Sequence, residues 1–122
     1  MQLINSLYTI TSETSNDKGH TYTIALNPEH FIYKAHFPGE PITPGVCIMQ
    51  IAHELLERLC EAKLNVTCIK NVKFLRVLTP EKDLTVDYTF PKVTTEDDNV
   101  KSQVTVSVGN EAYAKLSVVC RK

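Results

Sequence analysis

Four of the chain's six prolines, Pro28, Pro38, Pro41 and Pro44, fall within residues 27–45, together with Gly39 and Gly45. Each proline fixes φ and withholds an amide donor, so no regular element survives there beyond a short helical turn at Pro28-Glu29-His30. The next segment is its opposite. From residue 46 to about residue 65 there is no proline or glycine, and Leu, Ile, Ala, Glu and Met are prominent, which predicts one long helix. Thr43 followed by Pro44 reads as its N-cap and first helical position. Gln50, Glu54, Glu57 and Glu61 recur at steps of three and four and form one polar stripe, while Val46, Ile48, Met49, Ile51, Ala52, Leu55, Leu56 and Leu59 make the other faces apolar. A helix apolar around most of its circumference is wrapped by something.

The wrapping is read from the flanking segments. Residues 3–11 are apolar and β-branched and predict a strand, ending in a turn-like run at residues 12–19; residues 20–26, with Tyr22, Ile24 and Leu26 alternating, predict a half-buried strand. Past the helix, strands are expected at residues 67–77, 84–92, 100–108 and 111–121, joined as a meander whose last turn is Gly109-Asn110. The formula is α+β: a largely antiparallel sheet curling around a single helix. As one domain, residues 1–122 bury roughly two-thirds of the unfolded chain's surface, enough for a core without staples.

Composition narrows the function. Lys+Arg 13 against Asp+Glu 14 leaves a net charge of −1, without the basic excess expected of a nucleic-acid-binding domain. The longest apolar stretch, residues 46–52, is interrupted by Gln50 and falls far short of the about 20 residues that span a bilayer. Residues 1–5 lack the features of a signal peptide, so a cytoplasmic protein is expected. Cys47, Cys60, Cys68 and Cys120 show no CxxC spacing; free thiols are expected, with no metal and no cofactor.

Residues 35–46, Ala-His-Phe-Pro-Gly-Glu-Pro-Ile-Thr-Pro-Gly-Val, carry the chemistry. His36 is held between proline-rich turns, and its side chain, with an unperturbed pKa of about 6.5, is suited to act as base and then acid near neutral pH. The chain then enters the helix through Gly45, leaving backbone amides uncovered at the positive end of the helix dipole, where an oxyanion is stabilised. The pair suggests proton abstraction beside a polarised carbonyl.

This segment resembles the β-hydroxyacyl-acyl carrier protein dehydratase family, whose pattern His-Phe-Pro, Pro, Pro-Gly-Val reads here as His36-Phe37-Pro38, Pro41 and Pro44-Gly45-Val46. The resemblance extends through residues 71–84, with the turn Pro80-Glu81-Lys82-Asp83-Leu84, and covers essentially the whole chain. It implies the hotdog fold and dehydration of a (3R)-hydroxyacyl thioester to the trans-2-enoyl product in fatty-acid or polyene-type biosynthesis. It further implies His36 as the base, with Gly45 or Val46 holding the thioester oxygen and Phe37 and Pro44 lining the site. The position matching the family's helix carboxylate holds Gln50, which has no proton to exchange in the accessible pH range. Glu54, one turn on and about 6 Å along the axis, is the substitute acid to consider; His53 points about 60° away from the Gln50–Glu57 direction. Cys47 reads as a small core or interface residue.

The resemblance implies a dimer or higher oligomer acting on an acyl carrier protein or coenzyme A thioester, with Lys34, Lys70, Lys73 and Arg76 available to an acidic carrier. Gln50 adds a heterodimer to the expectations, in which a second dehydratase-like subunit supplies the carboxylate. The alternatives are a hotdog thioesterase and a catalytically weak carrier-binding subunit.

Overall fold

The computed structural model describes residues 2–122. In chain order its elements are β1 (Tyr8–Asn16), β2 (Gly19–Leu26), α1 (Ile32–Ala35), α2 (Gly45–Cys60), β3 (Asn65–Phe74), β4 (Thr85–Phe90), β5 (Val93–Glu96), β6 (Asn99–Val108) and β7 (Glu111–Arg121). The strands form one antiparallel sheet ordered β1-β2-β4-β6-β7-β3, with β5 beside β6. The sheet curls around α2, giving the hotdog arrangement. Alternation along the strands sends Ile24, Val86, Tyr88, Val104, Val106 and Leu116 inward to the buried face of α2, formed by Ile48, Ile51, Ala52, Leu55 and Leu56. The Tyr88 hydroxyl, fully buried, donates to the Ile48 carbonyl at 3.1 Å, so even the deepest polar group is satisfied.

Several boundaries differ from the sequence reading, each for a local reason. The run at residues 12–16 is strand, not turn: backbone pairing to β2 holds it, and polar side chains suffice because it is an edge exposed on both faces. Residues 3–7 form a turn instead, closed by the Leu7 amide donating to the Leu3 carbonyl at 2.8 Å. The short helix is α1, just after the Pro28-Glu29-His30 segment. Helix α2 begins at Gly45, with Pro44 and not Thr43 as N-cap, because the Thr43 side chain is turned inward to Tyr33 at 2.9 Å. It ends at Cys60, since Glu61 adopts the left-handed conformation and the Leu64 amide is captured by the Glu57 carboxylate at 2.8 Å. Residues 93–96 add the short strand β5 between the strands expected at residues 84–92 and 100–108.

The largest correction concerns β3. It does not open a meander with β4 but pairs with β7, as the far edge of the sheet. Past its end, the Leu75 amide donates to the Tyr113 carbonyl at 2.8 Å, and the Leu78 carbonyl accepts from the Thr43 amide at 2.8 Å. Residues 75–78 are thereby pinned between β7 and the start of α2. Strand β3 is exposed along almost its whole length.

Candidate active site

The loop after α1 presents His36. Its amide donates to the Ile32 carbonyl at 2.9 Å and its carbonyl accepts from the Ile42 amide at 2.8 Å, while Phe37 and Glu40 exchange backbone hydrogen bonds at 3.0 and 3.2 Å. Residues 36–42 are therefore a closed, backbone-tied loop, and the His36 ring stands exposed, edge-on to Phe37 with centroids 5.4 Å apart. Buried Thr43 anchors the loop from below through Tyr33, whose hydroxyl pKa is raised by burial and which stays neutral.

At the start of α2 the Pro44 carbonyl accepts from both Cys47 and Ile48 amides, at 3.0 and 3.1 Å. The Gly45 and Val46 amides have no acceptor among the described residues, as expected of the first turn of a helix. They lie at the positive end of the helix dipole, suited to a developing negative oxygen. Cys47 is buried, and burial pushes its thiol pKa up, so it is a packed thiol and not a nucleophile.

Beside this helix end runs an open groove of about 350 Å³, lined by Ile42, Thr43, Gly45, Phe74, Leu75 and Val77 among others. The Phe74 ring lies directly on Gly45: a Cβ added there would stand 2.8 Å from the ring's Cζ. Glycine at this position thus admits the ring to the helix terminus. Phe74, Leu75, Val77 and Val46 are each half exposed or more. Phe74 was not among the expected site residues; in the sequence it is one more apolar residue of a strand that also holds Val66, Cys68, Ile69 and Val72, and only the fold brings its ring to Gly45.

The polar stripe of α2 is tied to the N-terminal segment through Glu54. Both Glu54 carboxylate oxygens are engaged, accepting from the Leu3 amide at 2.8 Å, the Ile4 amide at 2.9 Å, the Tyr8 hydroxyl at 3.0 Å and the Gln50 side-chain amide at 3.0 Å. Burial and the adjacent Glu54 charge drive the Tyr8 hydroxyl pKa far upward, so it remains a donor. Gln50 is turned toward Glu54, and His53 toward the Leu64 carbonyl at 2.6 Å. Glu54 therefore fastens the N-terminal segment to the helix.

Among the described residues, no His, Cys, Asp and Glu cluster could hold a metal ion, and no helix is long and apolar enough to cross a membrane.

Comparison with solved structures shows the same fold. A chain of the dehydratase heterocomplex ApeI:P from Xenorhabdus doucetiae superposes with a TM-score of 0.69 at 15% identity, over 93% of this chain and 96% of that one. A thioesterase from Haemophilus influenzae gives 0.65 at 14% identity, over 95% and 78%. A Streptococcus mutans protein bound to acetyl-coenzyme A gives 0.62 at 15%, over 90% and 86%. No curated protein sequence matches the chain. A family model described as ApeI dehydratase matches residues 12–115, from β1 through β7, and the chain belongs to that ApeI-like dehydratase family.

Proposed function

We propose that the chain is a subunit of a dehydratase acting on a (3R)-hydroxyacyl thioester carried by an acyl carrier protein or coenzyme A. The observation that carries this reading is the pair of unaccepted amides, Gly45 and Val46, beside an apolar groove and preceded by the loop that exposes His36. The thioester carbonyl accepts from these amides, and His36 removes a proton from C2 as enolate character develops on the oxygen. The C2–C3 double bond forms as the C3–O bond breaks, and the hydroxyl takes up a proton and leaves as water. The proton held by His36 balances that last step when it is passed to the hydroxyl; otherwise a separate carboxylic acid supplies it.

Gln50 can orient the hydroxyl but has no proton to give. Glu54 would have to release one of its four donors to reach a substrate. We therefore assign the acid to a second, dehydratase-like subunit seated along the exposed edge of β3. The family relative from Xenorhabdus doucetiae, a dehydratase heterocomplex, supports that assignment.

The test is to incubate the protein, alone and with a carboxylate-bearing dehydratase subunit, with a 3-hydroxyacyl thioester, and to separate enoyl product from free acid. Dehydration is expected chiefly in the mixture, and His36→Ala should lower it by about a hundred- to ten-thousand-fold. Gln50→Glu should raise the rate of the protein alone. Undiminished dehydration in His36→Ala overturns the reading, and release of free acid in place of enoyl thioester makes the protein a thioesterase.

A further inference from the structure

The two halves of the candidate site sit on different elements. His36 follows α1, and the Gly45 and Val46 amides open α2, with residues 37–44 between them. The His36 ring is exposed and meets Phe37 edge-on, so its place is set by the backbone that carries it. The geometry between base and amides therefore depends on what fastens the end of α1 to the start of α2.

Two ties do so. At the mouth of the loop the His36 carbonyl accepts from the Ile42 amide at 2.8 Å. Beneath it the Tyr33 and Thr43 hydroxyls meet at 2.9 Å, each residue being only 3% exposed. A segment held at one point pivots about it, and a second point off that axis stops the rotation. Both ends of the second tie are anchored in turn: the Tyr33 amide donates to the His30 carbonyl at 3.1 Å, and the Thr43 amide to the Leu78 carbonyl at 2.8 Å. Tyr33 stands about one helical turn before His36, and Thr43 lies just before Pro44 and Gly45, so the tie reaches both halves of the site.

Stability alone does not account for this pair. Two hydroxyls taken out of water and bonded to each other gain little over their hydrated state, and apolar groups of the same shape in both places are nearly neutral or stabilising. A hydrogen bond differs from apolar packing in being directional, since it admits a narrow range of distances and angles. That is what a base and an oxyanion site on separate elements need, because a misplacement of about 1 Å costs roughly a hundredfold in rate.

We propose that Tyr33 and Thr43 are positioning residues, whose paired hydroxyls hold the His36 base at its working distance from the Gly45 and Val46 amides. The proposal rests on the dehydratase reading for the reaction it serves. Both residues are buried beneath the loop and act through the backbone they fasten.

The test combines dehydration kinetics, with the carboxylate-bearing subunit present, with urea unfolding and NMR. Tyr33→Phe and Thr43→Val should each lower kcat by about ten- to a hundredfold. KM should stay within about twofold, because a displaced base weakens the transition state and leaves ground-state binding intact. Thr43→Ser keeps the hydroxyl and should keep kcat near wild type. Combining Tyr33→Phe with Thr43→Val leaves no hydroxyl stranded, so the urea midpoint should return toward wild type while kcat stays as low as in the single variants. Recovery of kcat together with stability would make the pair a packing feature and overturn the proposal, as would undiminished kcat in Tyr33→Phe. Failure of the wild type to form enoyl product counts against the reaction reading alone, because the positioning is also read without substrate. The His36 ring resonances and the Gly45 and Val46 amide resonances should move in the double variant and stay in place in Thr43→Ser. Resonances unmoved in both overturn the proposal.

Discussion

The sheet has two edges, β1 and β3, and the chain treats them in opposite ways. From Ser12 onward β1 is polar, and its flank is latched internally, because Glu54 holds the Leu3 and Ile4 amides and the Tyr8 hydroxyl against α2. Such an edge discourages further strand pairing. Strand β3 is exposed on both faces and runs into Phe74, Leu75 and Val77, which leave an apolar patch beside the helix terminus. Long, apolar edges are retained where another chain covers them. The fold is thus finished on one flank and left open on the other, and the candidate site lies on the open one.

The latched flank depends most on Glu54. Removing its carboxylate strands the Leu3 and Ile4 amides and the Tyr8 hydroxyl at once, and hydrogen bonds to a charged group contribute about 1.5–3 kcal/mol each without adding fully. Glu54→Ala is expected to cost about 3 kcal/mol by urea unfolding. Hydrogen exchange should speed up at Leu3 and Ile4 while staying protected in β6 and β7. Uniform loss of protection would mean that the latch is not local to the β1 flank.

A smaller effect distinguishes the two faces of the sheet near β3. Cys68 on β3 is exposed, whereas Cys120, on the neighbouring β7, is fully buried and has its thiol pushed up to about 11, chiefly by burial. An acid whose folded pKa is raised binds its proton more tightly in the native state. Its contribution is complete below the unfolded value, 9.0, and is lost as pH climbs toward 11. At about 1.4 kcal/mol per unit, the loss is no more than about 2.7 kcal/mol across that interval. The difference in stability between wild type and Cys120→Ala should therefore shrink from pH 8.5 to 11. In native protein, a thiol reagent should modify Cys68 and spare Cys120.

What was legible in the sequence follows the same division. Helix α2 was readable because its apolar residues repeat around a buried face, and β7 because its hairpin turn and alternation agree. The His36 loop was readable because its prolines and Gly45 leave few conformations. The extension of β1 was hidden, since Ser12, Thr14 and Ser15 gain their strand from backbone pairing and show no apolar alternation. The placement of β3 beside β7 was hidden as well, because strand order depends on contacts distant in sequence. Glu54 and Phe74 needed the fold: one is a helix carboxylate whose donors lie about fifty positions away, the other a ring that meets a glycine across the groove.

The smallest effect on the chain's own stability is expected at Val77, and that smallness tests the open flank. Val77 is 59% exposed, so Val77→Asp removes little packing within one chain and should shift its unfolding by less than about 0.5 kcal/mol in dilute solution. A partner subunit covering β3 changes the result at higher concentration, because association stabilises the folded state by mass action. Wild-type stability should then rise by up to about 1.4 kcal/mol for each tenfold increase in protein or partner concentration, while Val77→Asp stays flat. Sedimentation should report the same loss of assembly. A variant that assembles as well as wild type would place the interface elsewhere and leave β3 an edge exposed for some other reason. A variant that unfolds easily even when dilute would show that residues 75–78 support the chain's own core, and the two edges would then differ less than their surfaces suggest.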